Sequence, residues 1–172
     1  MKVELKSITH SKAFSEETEA FKAKVYVNGK HVGDADNEGR GGPTSVHVAW
    51  TGKKDSKGFP LYTQVNKEAV GDLIDWAQEN HKYGIEGLID DLLYEELHWR
   101  DFQSLKRSRL LYFKEGKIWS VSRGSFTSVH IKSGKAEEIL KGTTWWEDSY
   151  VFLNNIKKPE FIEKYLETFR KG

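Results

Sequence analysis

Seven alternating residues and the turn that follows them constrain this chain more than any other feature. Phe21, Ala23, Val25 and Val27 alternate with Lys22, Lys24 and Tyr26. That is the period of a strand with one dry face and one wet face. Asn28-Gly29 comes directly after. A two-residue type I′ turn needs positive φ at both central positions, which Asn and Gly accept most readily. The pattern predicts a hairpin returning over residues 30–35. A chain that opens this way is committed to an antiparallel sheet with one apolar face, and that face needs a cover.

The rest of the first third extends the sheet. Val3 and Leu5 alternate with charges, and Ile8 then falls out of phase. Residues 37–43 read as a glycine-rich loop. Residues 44–50 resume a strand, with Val46, Val48 and Trp50 on one side and Ser45, His47 and Ala49 on the other. The polar stretch 51–58 reads as a mobile loop or lid.

Residues 62–108 switch to helical spacing and supply the cover. Val70, Leu73, Ile74 and Ala77 recur at three and four residues, with Asn66 as the expected N-cap and Glu68 in the first turn. Tyr83-Gly84 interrupts. Ile85, Leu88, Ile89, Leu92, Leu93 and Leu97 then outline a second helix that extends through Trp99 and Phe102 to Leu105. Beyond it come a hairpin over 110–121, a short helix over 136–141 and a buried strand over 150–153. Lys158-Pro159-Glu160 opens a C-terminal helix with Phe161, Ile162, Tyr165, Leu166 and Phe169 on its apolar face. The expected fold is a single α+β domain over 1–172. Its N-terminal antiparallel sheet packs on the central helices, with a second hairpin and a C-terminal helix completing it.

Composition narrows the function classes. The 27 basic residues nearly cancel the 26 acidic ones, so a general nucleic-acid coat gains no support. The absence of cysteine excludes disulfides and cysteine-zinc sites. No run approaches the ~18 apolar residues of a membrane span. The N-terminus alternates charge and hydrophobe, unlike a secretory signal, so a cytoplasmic location is expected. Six tryptophans among 172 residues leave homodimerisation open. No cofactor is implied, and the histidines lack a His-x-x-x-His pair for a metal.

Three runs carry a resemblance: Glu17-Thr18-Glu19-Ala20-Phe21-Lys22-Ala23, the hairpin through Asn28-Gly29, and Asn37-Glu38-Gly39-Arg40-Gly41-Gly42. Together they resemble the opening of an uncharacterised family of small phage and bacterial proteins. The likeness is contiguous over about the first 45 residues and patchy afterwards, at Leu88 to Leu93, Arg109 to Phe113 and Leu153-Asn154-Asn155. It implies a common fold and no known activity. Its phage setting points to an accessory role against host defence.

The candidate site is the glycine-rich loop. Successive backbone N–H groups around Gly39, Gly41 and Gly42 can form an anion-binding nest. Arg40 adds a planar charged fork, Asn37, Thr44 and Ser45 add polar side chains, and His47 lies just beyond. The loop is neither a Walker A motif nor a dinucleotide fingerprint. The expected function is a non-enzymatic binding protein that sequesters a small phosphorylated, nucleotide-type ligand. Two alternatives stand beside it: direct inhibition of a host protein through an exposed apolar surface, and a nucleotide-directed hydrolase using His47.

Further features carry competing readings. Lys106-Arg107-Ser108-Arg109 is a basic knot that a helix C-terminus would favour by its dipole alone. The same knot could contact phosphate, helped by Arg123-Gly124-Ser125 and Lys132-Ser133-Gly134-Lys135. Trp145-Trp146 on a strand would point to opposite faces. Trp76, Trp99 and Trp119 read as core. Thr44-Ser45-Val46-His47-Val48 echoes Thr127-Ser128-Val129-His130-Ile131, as two exposed strand faces would.

Overall fold

A computed structural model describes residues 1–163. The expected helical positions Tyr165, Leu166 and Phe169 lie outside the described residues. The fold is α+β, with an N-terminal four-stranded antiparallel sheet, further small sheets and helices. Packing divides the chain into two compact units, Met1–Tyr94 and the chain from Glu95 onward.

The first unit holds β1 (Val3–His10), β2 (Phe21–Val27), β3 (Lys30–Asn37) and β4 (Ser45–Val48), in the order β1-β2-β3-β4. Asn28 and Gly29 take φ of 50° and 83°, the turn that their identities predicted. The phase slip at Ile8 has a local cause. The β1–β2 register shifts between Lys6 and Thr9, and Ser7 stands at φ 51°. A bulge there re-aims Ile8 inward, and Ile8 is buried.

The resumed strand stops at Val48. Its pairs with β3 place Val46 opposite the buried Ala35, and His47 opposite Asp34. Ala49 is buried and bonds to Val32, which breaks the expected alternation, and Trp50 starts a new strand. Residues 51–58 do not form an unstructured lid. They belong to a two-stranded ribbon, β5 (Trp50–Lys54) and β6 (Pro60–Tyr62). Asp55 closes its turn by accepting from the amides of Lys57 and Phe59.

Helix α1 (Gln64–Asn80) starts earlier than Asn66 suggested. Thr63 is the N-cap, and its hydroxyl accepts from the Asn66 amide. Val70, Leu73 and Ala77 are buried, while Ile74 is exposed. A Cβ on Gly33 would lie 3.3 Å from the Val70 side chain, so α1 packs closely over β3. Helix α2 (Gly84–Ser108) runs three residues beyond the Leu105 to which its spacing extended it, and the boundary between the units falls within it.

The second unit pairs β7 (Arg109–Lys114) with β8 (Lys117–Ser122) around a Glu115-Gly116 turn, and with β9 (Val151–Phe152). One core cluster joins Phe102, Leu111, Leu153, Ile156 and Phe161. Another joins Leu110, Ile131, Ala136, Leu140 and Phe152. The helices are α3 (Ser128–Lys132), α4 (Lys135–Lys141) and α5 (Lys158–Phe161). The sequence echo is therefore false. Its first copy is a strand, and its second is a helix start where Thr127 caps the His130 amide. Trp145 and Trp146 lie in a turn rather than on a strand. Both rings pack near Tyr112, Trp145 remaining exposed and Trp146 half-buried. Trp119 is exposed on β8 and is not core.

Candidate functional site

The glycine-rich loop is built around one buried amide side chain. Asn37 accepts from the Gly39 amide at 2.8 Å and from the Thr18 hydroxyl at 2.8 Å. Its Nδ2 donates to the Gly42 carbonyl and to Thr44 Oγ1. The Gly39 carbonyl in turn accepts from the amides of Glu16 and Glu17. Gly39 is irreplaceable by geometry, because at φ +85° a Cβ would fall 2.1 Å from the Phe14 carbonyl oxygen.

These bonds remove most of the expected anion nest. The Gly39 amide is spent on Asn37, and the Gly41 amide points to Thr18 Oγ1 at 3.3 Å. The Thr44 amide donates to Glu86, and its hydroxyl donates to Asp90 at 2.7 Å. Asn37, Gly39, Gly41 and Thr44 thus hold the loop together and offer no free cradle. Arg40, Gly42 and Ser45 do line one cavity of about 330 Å³, but Asp36 and Glu38 line it too. Two carboxylates there oppose an anion. His47 is exposed on the outer face of β4, 3.3 Å from Asp36 Oδ1, and is not among those lining residues.

The basic knot forms a different kind of site. Lys106 and Arg107 end α2, where the dipole favours them. The β7–β8 hairpin returns the chain to Arg123, and α3 supplies Ser128 and Lys132. All of these line one cavity of about 320 Å³, together with Ile131, Asn154 and Asn155. No carboxylate belongs to that lining.

Several lining groups are positioned by their neighbours. Arg123 donates to the carbonyls of Phe126 and Arg107 at 2.8 and 2.7 Å, and to the Ser128 hydroxyl at 2.9 Å. Its guanidinium is therefore fixed in place. Buried Asn154 accepts from the Leu111 amide at 2.6 Å and donates to the Arg109 carbonyl at 2.9 Å. It locks the segment after β9 onto β7. The Asn155 side chain donates to the Ile131 carbonyl. Lys106 Nζ lies 5.7 Å from the Trp99 ring centre, and burial pushes its pKa down. Arg107 and Lys132 make no salt bridge among the described residues.

The sequence named these segments separately, but the cavity forms only when four elements meet. Asn154, Asn155 and Ser128 carried no site signal at all. Asparagine and serine are common in turns for local reasons, and nothing in their spacing marks them as pocket walls. Among the described residues no group of three or more histidine or carboxylate side chains is placed to hold a metal.

Comparison with family models, with curated proteins and with solved structures found no match.

Proposed function

We propose that the protein is a non-enzymatic binding protein that captures a small phosphorylated, nucleotide-type ligand in the basic cavity of its second unit. One observation carries this reading: Lys106, Arg107, Arg123 and Lys132 line a single concavity that no carboxylate lines. Like charges gathered in a partly desolvated cleft repel each other, and a bound anion relieves that repulsion. Arginine presents a planar fork matched to phosphate oxygens, and lysine adds a compact charge. Ser128 and Asn155 supply polar groups for the rest of a ligand. The lining has neither histidine nor carboxylate, the commonest proton carriers in hydrolytic sites, which favours capture over hydrolysis. Capture without turnover withdraws the ligand from whatever else reads it, in keeping with the accessory role that the sequence resemblance implies.

Calorimetry with inorganic pyrophosphate and then a nucleotide panel tests the proposal. Binding is expected, weakening as salt rises. Arg107→Ala and Lys132→Ala should each cut affinity about tenfold, the size of one charge-assisted hydrogen bond. Arg40→Ala should change nothing. If no phosphorylated compound binds, or if only Arg40→Ala abolishes binding, the assignment to this cavity is wrong.

A further inference from the structure

The β5–β6 ribbon lacks a core of its own. Every residue of both strands is exposed. Trp50, Phe59, Leu61 and Tyr62 are 49, 64, 42 and 43% exposed, and Val65 at the start of α1 is 66% exposed. Trp50 pairs with Tyr62 across the ribbon. Isolated two-stranded ribbons are marginal in water, and an apolar patch of this kind marks an interaction surface. The ribbon is also basic. Lys53, Lys54 and Lys57 are exposed, and the nearby Asp55 is used in closing the turn.

An opposite surface lies at the far end of α1. There His81, Lys82, Tyr83, Glu86, Gly87, Asp90 and Asp91 line a cavity of about 490 Å³, in which three carboxylates outnumber the one lysine. Tyr83 is 69% exposed. Glu86 and Asp90 are each anchored by one bond from Thr44, and His81 lies 3.9 Å from Asp91. The ribbon ends at Tyr62 and the cavity begins at His81, with the 17 residues of α1 between them. At 1.5 Å per residue that helix spans about 25 Å. The basic apolar ribbon and the acidic cavity of one chain are thus held apart by α1.

We infer that a second copy of this chain is the occupant of both surfaces, in a two-fold dimer where each ribbon docks at the other copy's His81–Asp91 cavity. A two-fold axis makes every contact twice. Antiparallel α1 helices bring each ribbon to the partner's cavity at both ends. Trp50, Phe59 and Tyr62 supply the aromatic centre that stable interfaces favour, and the lysines meet the carboxylates around it. Asp90 is consistent with this: desolvation, and the nearby charges of Glu86 and Asp91, raise its pKa, and the positive charge of an arriving lysine would oppose that rise. The inference is independent of the phosphate cavity, which lies in the other unit.

Sedimentation velocity of the full chain over a concentration series is the test. A dimer is expected, dissociating as salt rises. Lys53→Glu with Lys54→Glu should weaken it more than a hundredfold, since juxtaposed like charges cost several kcal/mol. Adding Asp91→Lys to that variant should restore most of the association, which a merely structural effect would not do. A chain that stays monomeric up to its solubility limit overturns the inference. So does a dimer indifferent to the lysine changes. Binding of a labelled oligothymidylate to a monomer, lost with Trp50→Ala, would also overturn it and make the ribbon a nucleic-acid surface.

Discussion

At the scale of single residues, buried Asn37 and surface-exposed, partly desolvated Asp90 in the first unit differ in how well their polar atoms are served. Asn37 is buried with its carbonyl and amide both engaged, so its desolvation is offset by four bonds. Asp90 is less well served. Thr44 donates one hydrogen bond to it, which lowers its pKa, but desolvation and the charges of Glu86 and Asp91 raise it by more. A carboxyl whose pKa is higher folded than unfolded binds its proton more tightly in the folded state. Stability then falls as pH rises from the ordinary carboxylate range through the raised value, and it is recovered on acidification. Asp90→Asn keeps an acceptor for Thr44 and removes the charge. The variant should be more stable than the parent at neutral pH, with the gap closing as pH falls. Urea midpoints measured between about pH 3 and 7 check this. A variant less stable at neutral pH would mean that the Thr44 bond to a charged acceptor outweighs the desolvation and repulsion.

At the scale of elements, the start of α1 separates what pattern can and cannot reveal. Apolar spacing located the helix, but it is blind to which polar residue supplies the cap. Thr63 and Asn66 are both capping types, and only the backbone shows that the Thr63 hydroxyl reaches the Asn66 amide. Thr63→Ala should cost about 1 kcal/mol, the usual value of an N-cap, and Asn66→Ala much less. Equal losses in denaturant melts would contradict the assigned start. The same contrast runs through the chain. The Asn28-Gly29 hairpin was legible because its turn demands a conformation that few residues accept. The ribbon over 50–62 was not, because lysine, glycine and serine between short apolar pieces also describe a loop. The second copy of the Thr-Ser-Val-His echo was misread as a strand, because a five-residue segment is too short to fix a period. The glycine-rich loop was located correctly, but its chemistry was not. Glycines that free a backbone to bind an anion also free it to bond Asn37 and Thr18, and sequence does not distinguish the two.

At the scale of the whole molecule, the division into two units sets what one core can do for the other. Leu73, Ile89 and Leu93 are buried in the first unit, and Leu111, Leu153 and Phe161 in the second. The basic cavity depends on the second core directly. Asn154, one of its walls, follows Leu153 and is bonded to the Leu111 amide. Leu153 is fully buried in the cluster with Phe102, Leu111, Ile156 and Phe161. Leu153→Ala removes three carbons from that cluster and should cost about 2–5 kcal/mol there, according to how far its neighbours collapse. Regions with separate cores open with separate free energies. Amide hydrogen exchange on this variant should therefore quicken in β7, β8 and β9 while β1, β2 and β3 keep their protection. Pyrophosphate affinity should fall with it, because a loosened chain at position 153 leaves Asn154 and Asn155 without a fixed wall to stand on. Uniformly faster exchange across both sheets would instead show the chain opening as one cooperative body, and the ligand cavity would then draw its stability from the first sheet as much as from its own core.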